Sequence, residues 1–132
     1  MREGTRKIFA KYEIGGTSKT LLVESDKRKC AFLKQVARQL ELDIEVKSQR
    51  IEAIDDLTAD LLTCRAFRSL GQIFELMHKN SHENSKWVLH KGQGWAKEVE
   101  EAQNHWRFSL DVEQSLTNEH SRILLVQNVT RI

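Results

Sequence analysis

Glu24 ends the run KTLLVE (residues 19–24) and is followed by Ser25, Asp26 and a stretch of helical character. A carboxylate at the C-terminal end of a strand can accept from both hydroxyls of a ribose, and ligands of α/β sheets bind at that edge. The same carboxylate also suits a helix start, where the macrodipole favours negative charge. Spacing leaves both roles open. The ribose role calls for a glycine-rich turn about 20 residues upstream, and MREGTRKIFAKYEIGGTSKT contains none. Arg65, in TCRAF, follows an apolar run. A guanidinium there can hold a phosphate or a base over the crevice, or pair with Glu52 or Asp60. Ile51 and Glu52, in SQRIEAID, follow another strand-like run; such a loop is either an ordinary polar connector or the neighbour of an adenine. Lys91 and Gly92 close KWVLHKG, either as a surface lysine with a stop glycine or as part of the same edge. Lys27, Arg28, Lys34 and Arg38 make a basic helix side, which solvent or an RNA backbone can satisfy.

Other chemistries find less support. Of the five histidines, His78 and His82 have helical i, i+4 spacing, but without the glutamate of a metalloprotease pattern, so no metal is expected. The two cysteines, Cys30 and Cys64, lie far apart in apolar surroundings and read as buried free thiols of a reducing compartment. Neither a nucleophile elbow nor a phosphate-binding loop is present.

The elements that position these residues follow from periodicity. KIFAKYE (7–13) reads as the end of a helix, stopped by Gly15 and Gly16. KTLLVE is a strand, and Ser25 or Asp26 caps a helix to about Leu40. Its inner face carries Cys30, Leu33, Ala37 and Leu40, flanked by Phe32 and Val36. IEVKSQ (44–49) is a strand, followed by a connector. DLLTCRA (60–66) is a buried parallel strand, and FRSLGQIFELMHKN (67–80) a helix with Phe67, Leu70, Ile73, Phe74 and Met77 inward. SHENS is a polar loop, KWVLHKG a strand and WAKEVEEAQN (95–104) a helix. WRFSLDVEQSL and RILLVQNV, joined by the turn TNEHS, are antiparallel neighbours. A parallel α/β sheet ending in an antiparallel hairpin suggests a Rossmann-like methyltransferase.

The 132 residues suggest one domain, with 39% hydrophobic and 30% charged residues. A net charge of +2 leaves a nucleic-acid partner to local clustering. No apolar run suits a membrane span or a signal peptide, so a cytoplasmic location is expected.

In order and spacing, LLVESDKRKCAFLKQVARQLEL, RIE, LLTCRAFRSL, KWVLHKGQ and SRILLVQNV resemble the bacterial ribosomal RNA small-subunit methyltransferase G family over residues 17–132. The resemblance implies a class I fold, S-adenosylmethionine as cofactor, and methylation of guanine N7 in 16S rRNA of the small ribosomal subunit. Carried over by position, it implies that Glu24 holds the cofactor ribose. Ile51 and Glu52 lie by the adenine, largely through backbone contacts. Arg65 sits at the reaction centre near cofactor and RNA, and Lys91, Arg122, Lys27 and Arg28 face RNA. The family's glycine-rich motif after its first strand has no counterpart here. Residues 1–16 are therefore an atypical N-terminus, IFAKYEIGG corresponds to the helix after that loop, and the sheet is expected to be partial, with an open gap at its centre.

Overall fold

KIFAKYEI alternates along its length, and that alternation decides its structure. In the computed structural model, which describes residues 7–14, 17–55, 57–65, 68–115 and 119–132, this segment is a strand, β1 (Lys7–Ile14). Ile8 and Ala10 are buried while Phe9 and Lys11 are exposed, the two-residue period of a pleated strand. The expected helix end is corrected by this finding. β1 pairs antiparallel with β2 (Thr17–Glu24) along its whole length, from Lys7↔Glu24 to Ile14↔Thr17. It also pairs antiparallel with β4 (Ala59–Arg65). The slot expected to gape is therefore filled, by a strand running against its neighbours.

The remaining elements are α1 (Lys27–Gln39), β3 (Ile44–Ser48), α2 (Leu70–Met77), β5 (Ser81–Lys91), α3 (Trp95–Ala102), β6 (Trp106–Gln114) and β7 (Arg122–Arg131). The seven strands form one sheet in the order β3-β2-β1-β4-β5-β7-β6. β2 with β3 and β4 with β5 are parallel pairs, and β7 is antiparallel to both β5 and β6. The first five positions have the order of a Rossmann sheet, with the hairpin β6–β7 appended. Gly15 and Gly16, Phe67 and residues 116–118, for which a turn, an inward ring and a turn were expected, lie outside the described residues.

Local chemistry explains the boundaries. Asp26 caps α1, its carboxylate accepting from the backbone N–H of Arg28 and Lys29 at 2.9 and 3.2 Å. At the other end the N–H of Leu42 donates to the Ala37 carbonyl and that of Glu41 to the Arg38 carbonyl. This double bond pattern needs a left-handed residue, and Glu41 takes that conformation at φ 53°. Ser69 and Gln72 form a reciprocal capping box on α2. SHENS, expected as a loop, belongs to β5, but its ladder jumps from Ala59↔Ser81 to Leu61↔Lys86. The polar residues His82–Ser85 bulge out there, held where Ser85 Oγ donates to the Ala59 carbonyl at 2.6 Å and His82 Nε2 meets Asp60 Oδ1 at 2.7 Å.

The core lies between one sheet face and α2 with α3. Ile8, Leu62, Trp87, Leu89, Leu124 and Val126 from the sheet meet Leu70, Ile73, Phe74 and Met77. The Phe74 ring is 5.3, 5.6 and 5.2 Å from those of Trp87, Trp106 and Phe108. α1 lies on the opposite face over β2 and β3 and is the shallowest element. Cys30 is its one fully buried residue, and Phe32 and Leu40, expected inside, are 63% and 64% exposed.

Candidate functional site at the C-terminal strand edge

The topology brings the singled-out residues to one edge. β2, β3, β4 and β5 end there, at Glu24, Ser48, Arg65 and Lys91, while β1 and β7 begin there, Lys7 opposite Glu24 and Arg122 opposite Lys91. The first turn of α1, with Lys27 and Arg28, rises from the same edge directly after Glu24. Residues from six separate stretches of sequence thus converge.

Glu24 is wholly buried. Its Oε2 accepts from the Asp26 backbone N–H at 3.0 Å, and the Cys30 thiol donates to its main-chain carbonyl at 3.0 Å. Oε1 is buried without a hydrogen-bond partner. A buried acceptor lacking a donor costs about 1–3 kcal/mol, so this oxygen is poised for a hydroxyl. Among the described residues a cavity at this edge, lined by Ile8, Val23, Ser25, Gln49, Arg50 and Ile51 but not by Glu24, holds about 10 Å³. That suits about one water molecule, whereas small-molecule sites span about 300–1,000 Å³.

Ile51 sits in a 3-10 turn, Ile51–Ala53, with its side chain in the core at 2% exposure. Only its backbone is available to a ligand. Glu52 is exposed, and its carbonyl accepts from Lys79 Nζ at 2.6 Å. Arg65 is exposed at the tip of β4, in register with His90 on β5, a half-buried neighbour that spacing did not flag. Lys91 occupies a different place from the RNA-facing one expected. It is 1% exposed, and its ammonium meets Glu98 Oε1 at 2.6 Å and the Arg68 carbonyl at 2.6 Å. Glu98 also accepts from the Leu70 N–H at 2.9 Å. Lys91 therefore ties β5 to the starts of α2 and α3. Arg122 is half-buried and donates to the carbonyls of Glu119 and Ser121 at 2.7 and 2.9 Å. Lys27 and Arg28 are exposed.

Both cysteines are free and buried. Burial pushes the Cys64 thiol up to about 12, against the pull of the Lys91 ammonium, so it is no nucleophile at neutral pH. His78 packs on the Trp106 ring at 5.1 Å and His82 pairs with Asp60. Among the described residues no cluster of three metal-ligating side chains occurs. A larger cavity, about 430 Å³, lies between α2, α3 and the start of β6; its lining includes Ser69, Gln72, Glu98 and Trp106 but none of the candidate site residues. Among the described residues no helix is long and apolar enough to cross a membrane.

Known proteins resemble this arrangement in sequence and in fold. The sequence model of the family described as rRNA small subunit methyltransferase G matches residues 14–126. Ribosomal RNA small subunit methyltransferase G of Rickettsia bellii is 38% identical over 119 residues, which cover 90% of this chain and 61% of the relative. The protein of the same name from Rickettsia felis is 39% identical over the same shares. The chain thus spans about three fifths of the length of these relatives. Among solved structures, a ribosomal protein L11 methylase from Lactobacillus delbrueckii superposes with a TM-score of 0.66 at 12% identity, covering 82% of this chain and 56% of that one. A putative rRNA-methylase from Clostridium thermocellum gives 0.58 at 9% identity, covering 82% and 71%. These likenesses show the Rossmann-like fold of class I methyltransferases. By the family match and the identity to its members, the chain belongs to the ribosomal RNA small-subunit methyltransferase G family.

Proposed function

We propose that the chain serves methylation of guanine N7 in 16S rRNA, with S-adenosylmethionine as methyl donor. Family membership supports this, and the observation that carries it is the convergence of Glu24, the Ile51–Glu52 turn, Arg65 and the cations Lys27, Arg28 and Arg122 on one strand edge. In this reading the Glu24 carboxylate faces the donor's ribose and the backbone of Ile51 and Glu52 its adenine. Arg65 stands between donor and RNA, and the other cations hold phosphates. Guanine N7 carries a lone pair and no proton, so the target asks for alignment rather than for a general base.

As arranged, these residues do not fit the donor. Glu24 offers a free oxygen, but its carboxylate is wholly buried, and the cavity by Ser25 and Ile51 holds only about 10 Å³. The central strand runs opposite to β2 and β4, so no helix start follows it at this edge. The chain alone is therefore expected to be at most weakly active. The buried Glu24 carboxylate beside exposed cations favours a second reading, a non-catalytic module that binds RNA of the small subunit. Transfer of labelled methyl to purified small subunits, measured beside filter binding, separates the two. Salt-sensitive binding without transfer is the expected result for this chain alone. Transfer abolished by Arg65→Ala supports the full enzyme, and absence of both binding and transfer overturns both readings.

A further inference from the structure

α2 and α3 share one face of the sheet, and α1 covers the other only over β2 and β3. Among the described residues the rest of that second face is uncovered. Register sets one row across it as Leu22–Phe9–Thr63–Val88–Leu125–Asp111. Leu22 is sealed, whereas Phe9 is 39% exposed and Thr63, Val88 and Leu125 are half-buried. The next row runs Lys11–Leu61–Lys86–Gln127–Ser109, with Lys11 about 7 Å from Phe9 along β1. Arg107 follows on β6, and Arg65 and His90 make the row nearest the candidate site. Lys11, Arg65, Lys86 and Arg107 are all exposed. Among the described acids of this face, Asp111 and Glu113 stand together on β6, at the rim, and Glu24 is buried beside α1. Beside the floor, α1 carries a second open ring, Phe32, with Arg28 one turn before it.

We propose that this face is a platform for single-stranded RNA, with bases stacked on Phe9 and Phe32 and phosphates met by Lys11, Arg65, Lys86 and Arg107. The proposal extends the RNA-binding reading from the strand edge to the sheet surface and rests on RNA being the partner. Every base has a π-face, so stacking on exposed rings tolerates any sequence, while cations track the backbone. Interface cores between proteins are depleted of lysine. Here cations are interleaved with the apolar positions, which favours a polyanion over a second copy of the chain.

Fluorescence polarisation of the whole chain with a short, unstructured, labelled oligoribonucleotide tests this. Phe9→Ala is expected to weaken binding about tenfold, the loss of one stacked base, and Phe9→Tyr to restore it. Lys86→Glu with Arg107→Glu is expected to weaken binding and flatten its salt dependence. Lys97→Glu, exposed on α3 over the other sheet face, is expected to leave single-strand affinity unchanged. Circular dichroism checks the fold of each variant. Wild-type affinity in both the Phe9 and the Lys86/Arg107 variants overturns the platform. So does a wild-type chain that binds no oligoribonucleotide, or a dimer that protects this face from hydrogen exchange and excludes RNA. Failure of the methyltransferase reading, seen as absent donor binding, leaves these outcomes unchanged.

Discussion

Lys91 and Glu24 show how far a single side chain can be read from its neighbours in sequence. Both stand at strand ends, where a charged residue is expected to face solvent or ligand, and both are buried. For Glu24 the partners, Asp26 and Cys30, come within six residues, yet spacing left its role open and did not disclose its burial. For Lys91 it did not, because Arg68 precedes it by 23 residues and Glu98 sits on a later helix. Nothing in KWVLHKG discloses those contacts. Removing one partner of a buried pair costs about 3–5 kcal/mol, so Lys91→Met should lower the urea midpoint strongly. Pairing it with Glu98→Gln should recover part of that loss. Cys64 gives a pH signature. Its thiol is raised from 9.0 to about 12 in the folded chain. Below pH 9 it is protonated in both states and has no effect. Above 9 only the unfolded chain ionises, so stability should fall through the window up to about 12. Urea midpoints measured from pH 8 to 11 should drop in the native sequence and flatten in Cys64→Val.

β1 is the element that the sequence misled about most, and the signal was present. Ile8, Ala10, Tyr12 and Ile14 alternate with Lys7, Phe9, Lys11 and Glu13, a strand's period. Ile8 and Tyr12 also match helical spacing, and the glycines after them match a helix stop, so local pattern alone left two solutions. Pairing on both sides decided between them: β2 and β4 each offer a full ladder edge that a helix could not satisfy. The long, strongly periodic elements were legible: α1, α2, α3 and the strands β2, β3, β4, β6 and β7 fall within a few residues of expectation, while β5 begins five residues earlier. The bulge at the start of β5 was not, since SHENS carries no strand pattern and is held by Ala59 and Asp60. Two substitutions probe α1, where packing contributes little. Asp26→Ala should cost about 1 kcal/mol by freeing two helix N–H groups. Glu41→Gly should stabilise by about 0.5–1 kcal/mol, because glycine takes the left-handed cap without strain. Thermal melts of both variants check the signs.

At the scale of the whole molecule, the chain holds a seven-stranded Rossmann-like sheet while the Glu24 carboxylate at its C-terminal strand edge is buried. Seven strands stand in one ordered sheet, yet the central one points the other way, bringing Lys7 and Ile8 to the edge where Glu24 has an unpaired oxygen. Family sequence specified the order of β2 to β7 and the convergence of the site residues. It could not specify the direction of β1, because that segment lies largely before the family match at residue 14. Electrostatics survive this burial, since Lys27, Arg28 and Arg65 remain exposed at that edge. RNA binding should therefore weaken steeply between low and moderate salt, which filter binding at several ionic strengths measures. The central claim is that this chain holds the family fold with the Glu24 carboxylate buried rather than open to a nucleoside. Isothermal titration with S-adenosylmethionine tests it most directly. The structure predicts no saturable binding in the micromolar range. Micromolar binding that is lost in Glu24→Ala would contradict it.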